Sequence, residues 1–198
     1  MMAGVGLTGV FLWYLVRFWV YGKAVVLTSA PLTIPAGFLI AGMAVATLIG
    51  AALASWAAGP ISERIEEKNI PVARVVAGAC LLYAIGLGLA WGLGVWSTGT
   101  ARENGMLLFA LISGFAFGIY DSLGLELVMD SLPDPRRAGH DLGIYALANS
   151  AGLALAAIIG ALLVNAFEHS FGYYLLFPSA IVMVLLAGIV TLTTKSAE

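Results

Sequence analysis

Long apolar runs, separated by short charged or turn-forming segments, set the pattern of this chain. A bilayer core about 30 Å thick needs roughly 20 apolar residues in a helix rising about 1.5 Å per residue. Reading between the charges gives six such stretches. The first covers 5–26 and is interrupted by Arg17 and Lys23. The uncharged stretch that follows, 24–62, is too long for one crossing. Ser29, Ala30, Pro31 and Pro35 punctuate it, so a tight turn is expected there and a second helix over 36–58. Four more helices are expected over 73–96, 105–130, 141–167 and 171–194, the fifth after the turn Pro133-Asp134-Pro135. The pattern predicts an all-α membrane protein, one bundle of six transmembrane helices spanning 1–198.

A second pattern runs inside the first. Ala46, Gly50, Ala54 and Ala58 recur at intervals of four in the second helix. The fourth carries Ala110, Gly114 and Gly118, and the fifth Ala148, Gly152, Ala156 and Gly160. Without water to drive association, membrane helices meet through small residues that let backbones approach. These stripes point to a compact bundle and carry no functional specificity of their own.

Composition agrees with the pattern. The 198 residues are 61% hydrophobic and only 10% charged, and the mean hydropathy is +1.00. A soluble domain carries about 25% charged residues, so the expected surroundings are a lipid bilayer. A net charge of −2 gives no basic face for nucleic acid. Cys80 is the single cysteine and lies in an apolar run, which reads as a small buried hydrophobe and excludes an intramolecular disulfide. Met1-Met2-Ala3-Gly4 lacks the positive segment of a signal peptide. Arg64, Lys68, Arg74, Arg136, Arg137 and Lys195 fall on one side of the expected topology, and only Lys23 and Arg102 on the other. That asymmetry predicts a multi-pass protein of the plasma (inner) membrane with both termini cytoplasmic.

Charges within the spans need a reason. Arg17, near the middle of the first helix, would cost at least about 2.5 kcal/mol facing lipid. It either snorkels or pairs with a carboxylate to fix the bundle, or it lines a substrate or ion pathway. Asp121 in the fourth helix falls within about 60° of Gly118 and is expected to point into the bundle. There it serves as a structural ion-pair partner or as a proton or cation carrier. Glu126 and Asp130, one turn apart, read as a salt-bridge network with Arg136 and Arg137 at a gate. Asn149 and Asn165 read as interhelical hydrogen-bonding groups, with a pathway role open for Asn149. Trp13, Trp19 and Tyr120 suit interface anchoring or packing better than stacking on a sugar ring. His140 and His169 fall at or beyond helix ends. No spacing suits a metal, and no nucleotide or heme motif implies a cofactor. An intramembrane serine protease is excluded, because Leu111 precedes Ile112-Ser113-Gly114 and neither histidine lies in a helix core. An enzyme is therefore not expected.

Gly59-Pro60-Ile61-Ser62-Glu63-Arg64-Ile65-Glu66-Glu67-Lys68 resembles the loop motif G-x-x-x-D-R-x-G-R-[RK] of the major facilitator superfamily, with Glu63 for the Asp and Glu66 and Glu67 for the Gly and Arg. Leu132-Pro133-Asp134, followed by Asp141-Leu142-Gly143-Ile144 and Ala148-Asn149, resembles the segment before the penultimate helix of many bacterial members. Arg17-Phe18 is similar to their seventh helix. The sugar:cation symporter branch is the nearest likeness, although Gly124 stands where an Asp is frequent there and Asp121 and Glu126 flank it.

The resemblance covers the whole chain but only the C-terminal six-helix half of the family's fold. It implies a half-size or fragmentary secondary transporter that moves a small solute by alternating access, with H⁺ or Na⁺ as candidate coupling ions. Arg17, Asp121 and Asn149 would be pathway residues. Gly59, Glu63, Arg64, Arg136, Arg137 and Asp141 would form the cytoplasmic gate and latch. A second six-helix bundle, from another copy or a separate N-terminal half, would complete the pathway. The competing expectation is a membrane scaffold, an accessory subunit or a degenerate transporter remnant.

Overall fold

The computed structural model describes residues 1–16, 34–96, 100–130, 138–166 and 169–193. Every element among them is a helix: α1 (Met2–Val10), α2 (Leu12–Leu15), α3 (Ile34–Lys68), α4 (Val72–Trp96), α5 (Thr100–Asp130), α6 (Ala138–Ala166) and α7 (His169–Thr193). The last five are long and apolar enough to cross a membrane. Their outward faces carry large apolar side chains, such as Phe38, Leu48, Leu147, Leu162 and Val190, which suits hydrocarbon and not water. The chain is membrane-embedded.

Three element boundaries differ from expectation, the simplest being α5, which begins at Thr100 and not at 105. The first apolar run does not begin as one continuous helix: α1 ends at Val10, and α2 follows Phe11. The second helix runs ten residues beyond 58, to Lys68, so Gly59, Glu63 and Arg64 lie on helix and not in a loop. Pro60 sits inside it and removes one backbone donor without ending it. The end comes at Asn69, whose φ is +50°. Asn69 N–H donates to the Glu66 carbonyl at 3.2 Å and Ile70 N–H to the Ile65 carbonyl at 3.0 Å. These are the paired bonds of a Schellman cap, in which Asn tolerates the left-handed residue and the following proline, here Pro71, cannot continue the helix. At about 1.5 Å per residue, α3 is far longer than a bilayer core, so its charged end, Glu63 to Lys68, stands clear of the hydrocarbon.

The predicted stripes are the seams of the bundle. A Cβ on Gly114 would strike the Thr47 backbone, one on Gly50 the backbone of Leu111 and Gly114, and one on Gly118 would lie 2.7 Å from the Ala54 Cβ. The α3 and α5 stripes therefore bring two backbones together. The α6 stripe packs on α1: Gly152 meets Met2 and Ala3, Ala156 meets Gly6, and Gly160 meets the Phe11 ring. Beyond these seams, α4 packs on α5 and on α7, and α7 packs on α1 and α6.

Pairing α1 with α5, α3 with α6 and α4 with α7, this pattern has a symmetry. Exchanging the members of each pair turns the α3·α5 contact into α6·α1 and α4·α5 into α7·α1. It leaves α4·α7 as its own counterpart. Among the described residues the match is one of partners and not of extent: α5 packs on α3 and α4 more extensively than α1 does on α6 and α7, and the α6·α7 contact has no comparable counterpart between α3 and α4. The core gathers where the two sets meet, around Leu7, Leu87, Met106, Leu176, Phe177 and Val184. Cys80 is buried beside it as a free thiol, its Sγ 3.7 Å from the Met1 Sδ.

Candidate functional site

A cavity of about 360 Å³ opens between α1, α2, α3 and α5. Thr8 of α1 is helical and buried; its hydroxyl approaches its own helix at the Val5 carbonyl, 3.1 Å away. Ser113 of α5 donates to the Ala110 carbonyl at 3.0 Å, and Thr47 of α3 to the Met43 carbonyl at 2.9 Å. Donors satisfied in this way leave oxygen lone pairs to face the cavity.

Tyr83 reaches the same space from α4. Its ring is buried and stands edge-on to Phe109, with centroids 6.0 Å apart; Phe109 stands edge-on to Phe177 at 6.4 Å. The Tyr83 hydroxyl lies 3.4 Å from Thr8 Oγ1, with either oxygen able to donate. This joins two spans by a long hydrogen bond at the cavity wall. Val5, Leu12, Ile40, Met43 and Phe117 make most of the remaining surface.

Among the described residues, no Asp, Glu, Lys, Arg or His lines the cavity. An ion entering it would lose its hydration without a counter-charge, at a cost of several kcal/mol. A largely apolar, uncharged molecule with one or two hydroxyl or carbonyl groups fits the wall. Thr47 is exposed as well as lining the space, so the cavity opens on the α3 side. Among the described residues no three His, Cys, Asp or Glu side chains converge.

The residues singled out from the sequence lie elsewhere. Asp121, two turns along α5 from Ser113, is exposed together with Ser122; it does not turn into the bundle. The small face ends at Gly118, and the remaining rotation carries Asp121 past the seam with α3. Asn149 is half-buried on α6, and Glu63 and Arg64 are exposed on the overhanging end of α3. Gly59 is exposed, with open space around it. The Asp141 backbone lies in the first turn of α6. Arg17, Arg136 and Arg137 fall outside the described residues, as do Lys23 and Trp19.

Thr8, Thr47 and Tyr83 were missed because a search for charges passes over hydroxyls in apolar runs. Ser113 was weighed only as a nucleophile. The available signal was positional: Ser113 adjoins Gly114 in the small-residue stripe, and Thr47 lies on the opposing helix next to Ala46. No family model, curated protein or solved structure matches this chain.

Proposed function

We propose that this chain is one six-span half of a major facilitator-type secondary transporter, which moves a small uncharged solute by alternating access when a second bundle completes the pathway. The observation that carries the reading is the exchangeable packing of α1, α3 and α4 with α5, α6 and α7, with a polar-lipped cavity between α1, α2, α3 and α5. Three spans are an odd number, so two such units in sequence have opposite orientation across a membrane. That is the inverted repeat on which these transporter halves are built.

Thr8, Thr47, Tyr83 and Ser113 form one wall of the solute site. Asp121 lies within the span Thr100–Leu125 yet is exposed, and a carboxylate at that depth needs water, a cation or a protein partner. It is the candidate site for a coupling proton or sodium ion. Arg64, Lys68 and Arg74, around the α3–α4 turn, mark the cytoplasmic end. In this reading Glu63 and Arg64 belong to the gate.

The test uses the cavity mouth and needs no known substrate. Thr47→Cys, on a Cys80→Ala background in proteoliposomes, is expected to react with a membrane-impermeant maleimide. Ile189→Cys on the apolar face of α7 is expected to stay unreactive. Equal inertness of both positions would show that the cavity is sealed from water and would overturn the transport reading in favour of a scaffold.

A further inference from the structure

Between α4 and α7 lies a second hollow, a groove of about 300 Å³ walled by Ala77, Gly78, Leu81, Leu185, Gly188 and Leu192, with Arg74 also at its edge. Arg74 is in the first turn of α4 and Leu192 next to the last residue of α7, so they mark the end nearer the membrane surface. Leu81 lies two turns deeper, roughly 10 Å along the helix. Small residues create the groove. A Cβ on Gly78 would meet nothing within 4 Å, whereas one on Gly188 would sit 3.2 Å from the Cys80 Cβ, where the two helices close.

What surrounds the groove identifies its occupant. From Gly78 to Leu89 the exposed residues of α4 are all apolar (Gly78, Leu81, Ile85, Leu89), and those of α7 from Val182 to Leu192 are apolar too. This face therefore meets hydrocarbon. Left unfilled, the groove would forfeit dispersion contacts along both walls, and an apolar lining gives water no partners. An acyl chain fits it. Arg74 is exposed at the open end and has no ion pair with a described residue, including Glu66 and Glu67 at the end of α3. A guanidinium presents a planar fork that matches phosphate oxygens, and basic pockets between membrane helices are where anionic headgroups bind.

We propose that the groove binds one anionic phospholipid, its acyl chain along Gly78, Leu81, Leu185 and Gly188 and its phosphate on Arg74. The proposal is independent of transport. Native mass spectrometry of the detergent-purified chain, titrated with phosphatidylglycerol or with phosphatidylcholine of the same acyl chains, tests it. One phosphatidylglycerol is expected to bind in preference to phosphatidylcholine. Arg74→Gln should weaken it about fivefold, the contribution of one basic residue near an anionic surface, and Arg74→Lys, which keeps the charge but not the planar fork, should fall between that and the wild type. Gly78→Leu should displace the chain and abolish binding while Arg74 is intact, with helicity by circular dichroism unchanged in all variants. Equal binding of the two lipids, an unaltered affinity in Arg74→Gln, or retention in Gly78→Leu would each overturn the proposal. So would displacement of the lipid by soluble glycerol phosphate at equal concentration, because the acyl groove would then add nothing.

Discussion

Tyr83 and Thr8 are the residues whose chemistry most exceeds their packing role. The phenol could fill its site as Phe does, yet its oxygen is placed beside a threonine on another span. Interhelical hydrogen bonds in membranes contribute about 0.6 kcal/mol on average and about 1.7 at most. At 3.4 Å this one belongs at the low end. A double-mutant cycle with Tyr83→Phe and Thr8→Val, read by unfolding in mixed micelles, should give a measurable coupling below about 0.6 kcal/mol. A coupling of zero would mean that the two hydroxyls do not interact. Gly114 makes the opposite point, because what matters there is the absence of a side chain. A Cβ would strike the Thr47 backbone, which cannot swing aside as a side-chain tip can. Gly114→Val should destabilise by about 1–3 kcal/mol, the usual range for overpacking. Gly143→Ala, with open space around it, should change stability by less than about 0.5 kcal/mol. Similar losses at both positions would contradict the seam between α3 and α5.

Single elements show how far the sequence could be read. The spacing of apolar runs located the spans from α3 to α7, and the intervals of four located the seams, because both follow directly from helix geometry and backbone approach. The end of α3 was misplaced for a physical reason. Gly59-Pro60 looks like a stop, but a proline in a helix removes one donor, and only a cap satisfies the last carbonyls and ends it. That cap was written nine residues further on, in Asn69-Ile70-Pro71. The cavity was less legible still. It is made by hydroxyls on four different helices, and which of them share a space depends on packing angles that no local pattern encodes. The revised boundary has a measurable consequence. In a loop, amides from Ile61 to Glu66 would exchange at unprotected rates; in α3 they should exchange clearly more slowly, as seen by hydrogen–deuterium exchange in detergent. Unprotected exchange across that segment would restore the loop.

At the scale of the whole molecule, the outer surface of the bundle is not uniform in chemistry. The exposed side of α4 and α7 is hydrocarbon-like from Leu81 to Leu89 and from Val182 to Leu192. Elsewhere the bundle exposes Asp121 and Ser122 on α5 and Ser150 on α6, with Asn149 half-buried beside it. A serine can hide its donor on its own helix, and Ser150 does so at the Ala146 carbonyl. A carboxylate has no such recourse, so in the transport reading Asp121 borders water or another protein surface, although Leu147 and Leu153, one turn either side of Ser150, are exposed and apolar. α6 is also the least buried of the five candidate spans among the described residues, and in the proposed reading a second bundle would cover it. Both readings place lipid on one side only. Nitroxide labels at Ser150→Cys and Ile189→Cys, each on the Cys80→Ala background in proteoliposomes, separate them from a chain surrounded by lipid. The Ile189 label should be relaxed by oxygen, which concentrates in hydrocarbon. The Ser150 label should respond to a water-soluble nickel chelate if it lines a pathway, or to neither relaxant if a second bundle covers it. An oxygen response at Ser150 equal to that at Ile189 would place the polar face in lipid and remove the ground for a missing half.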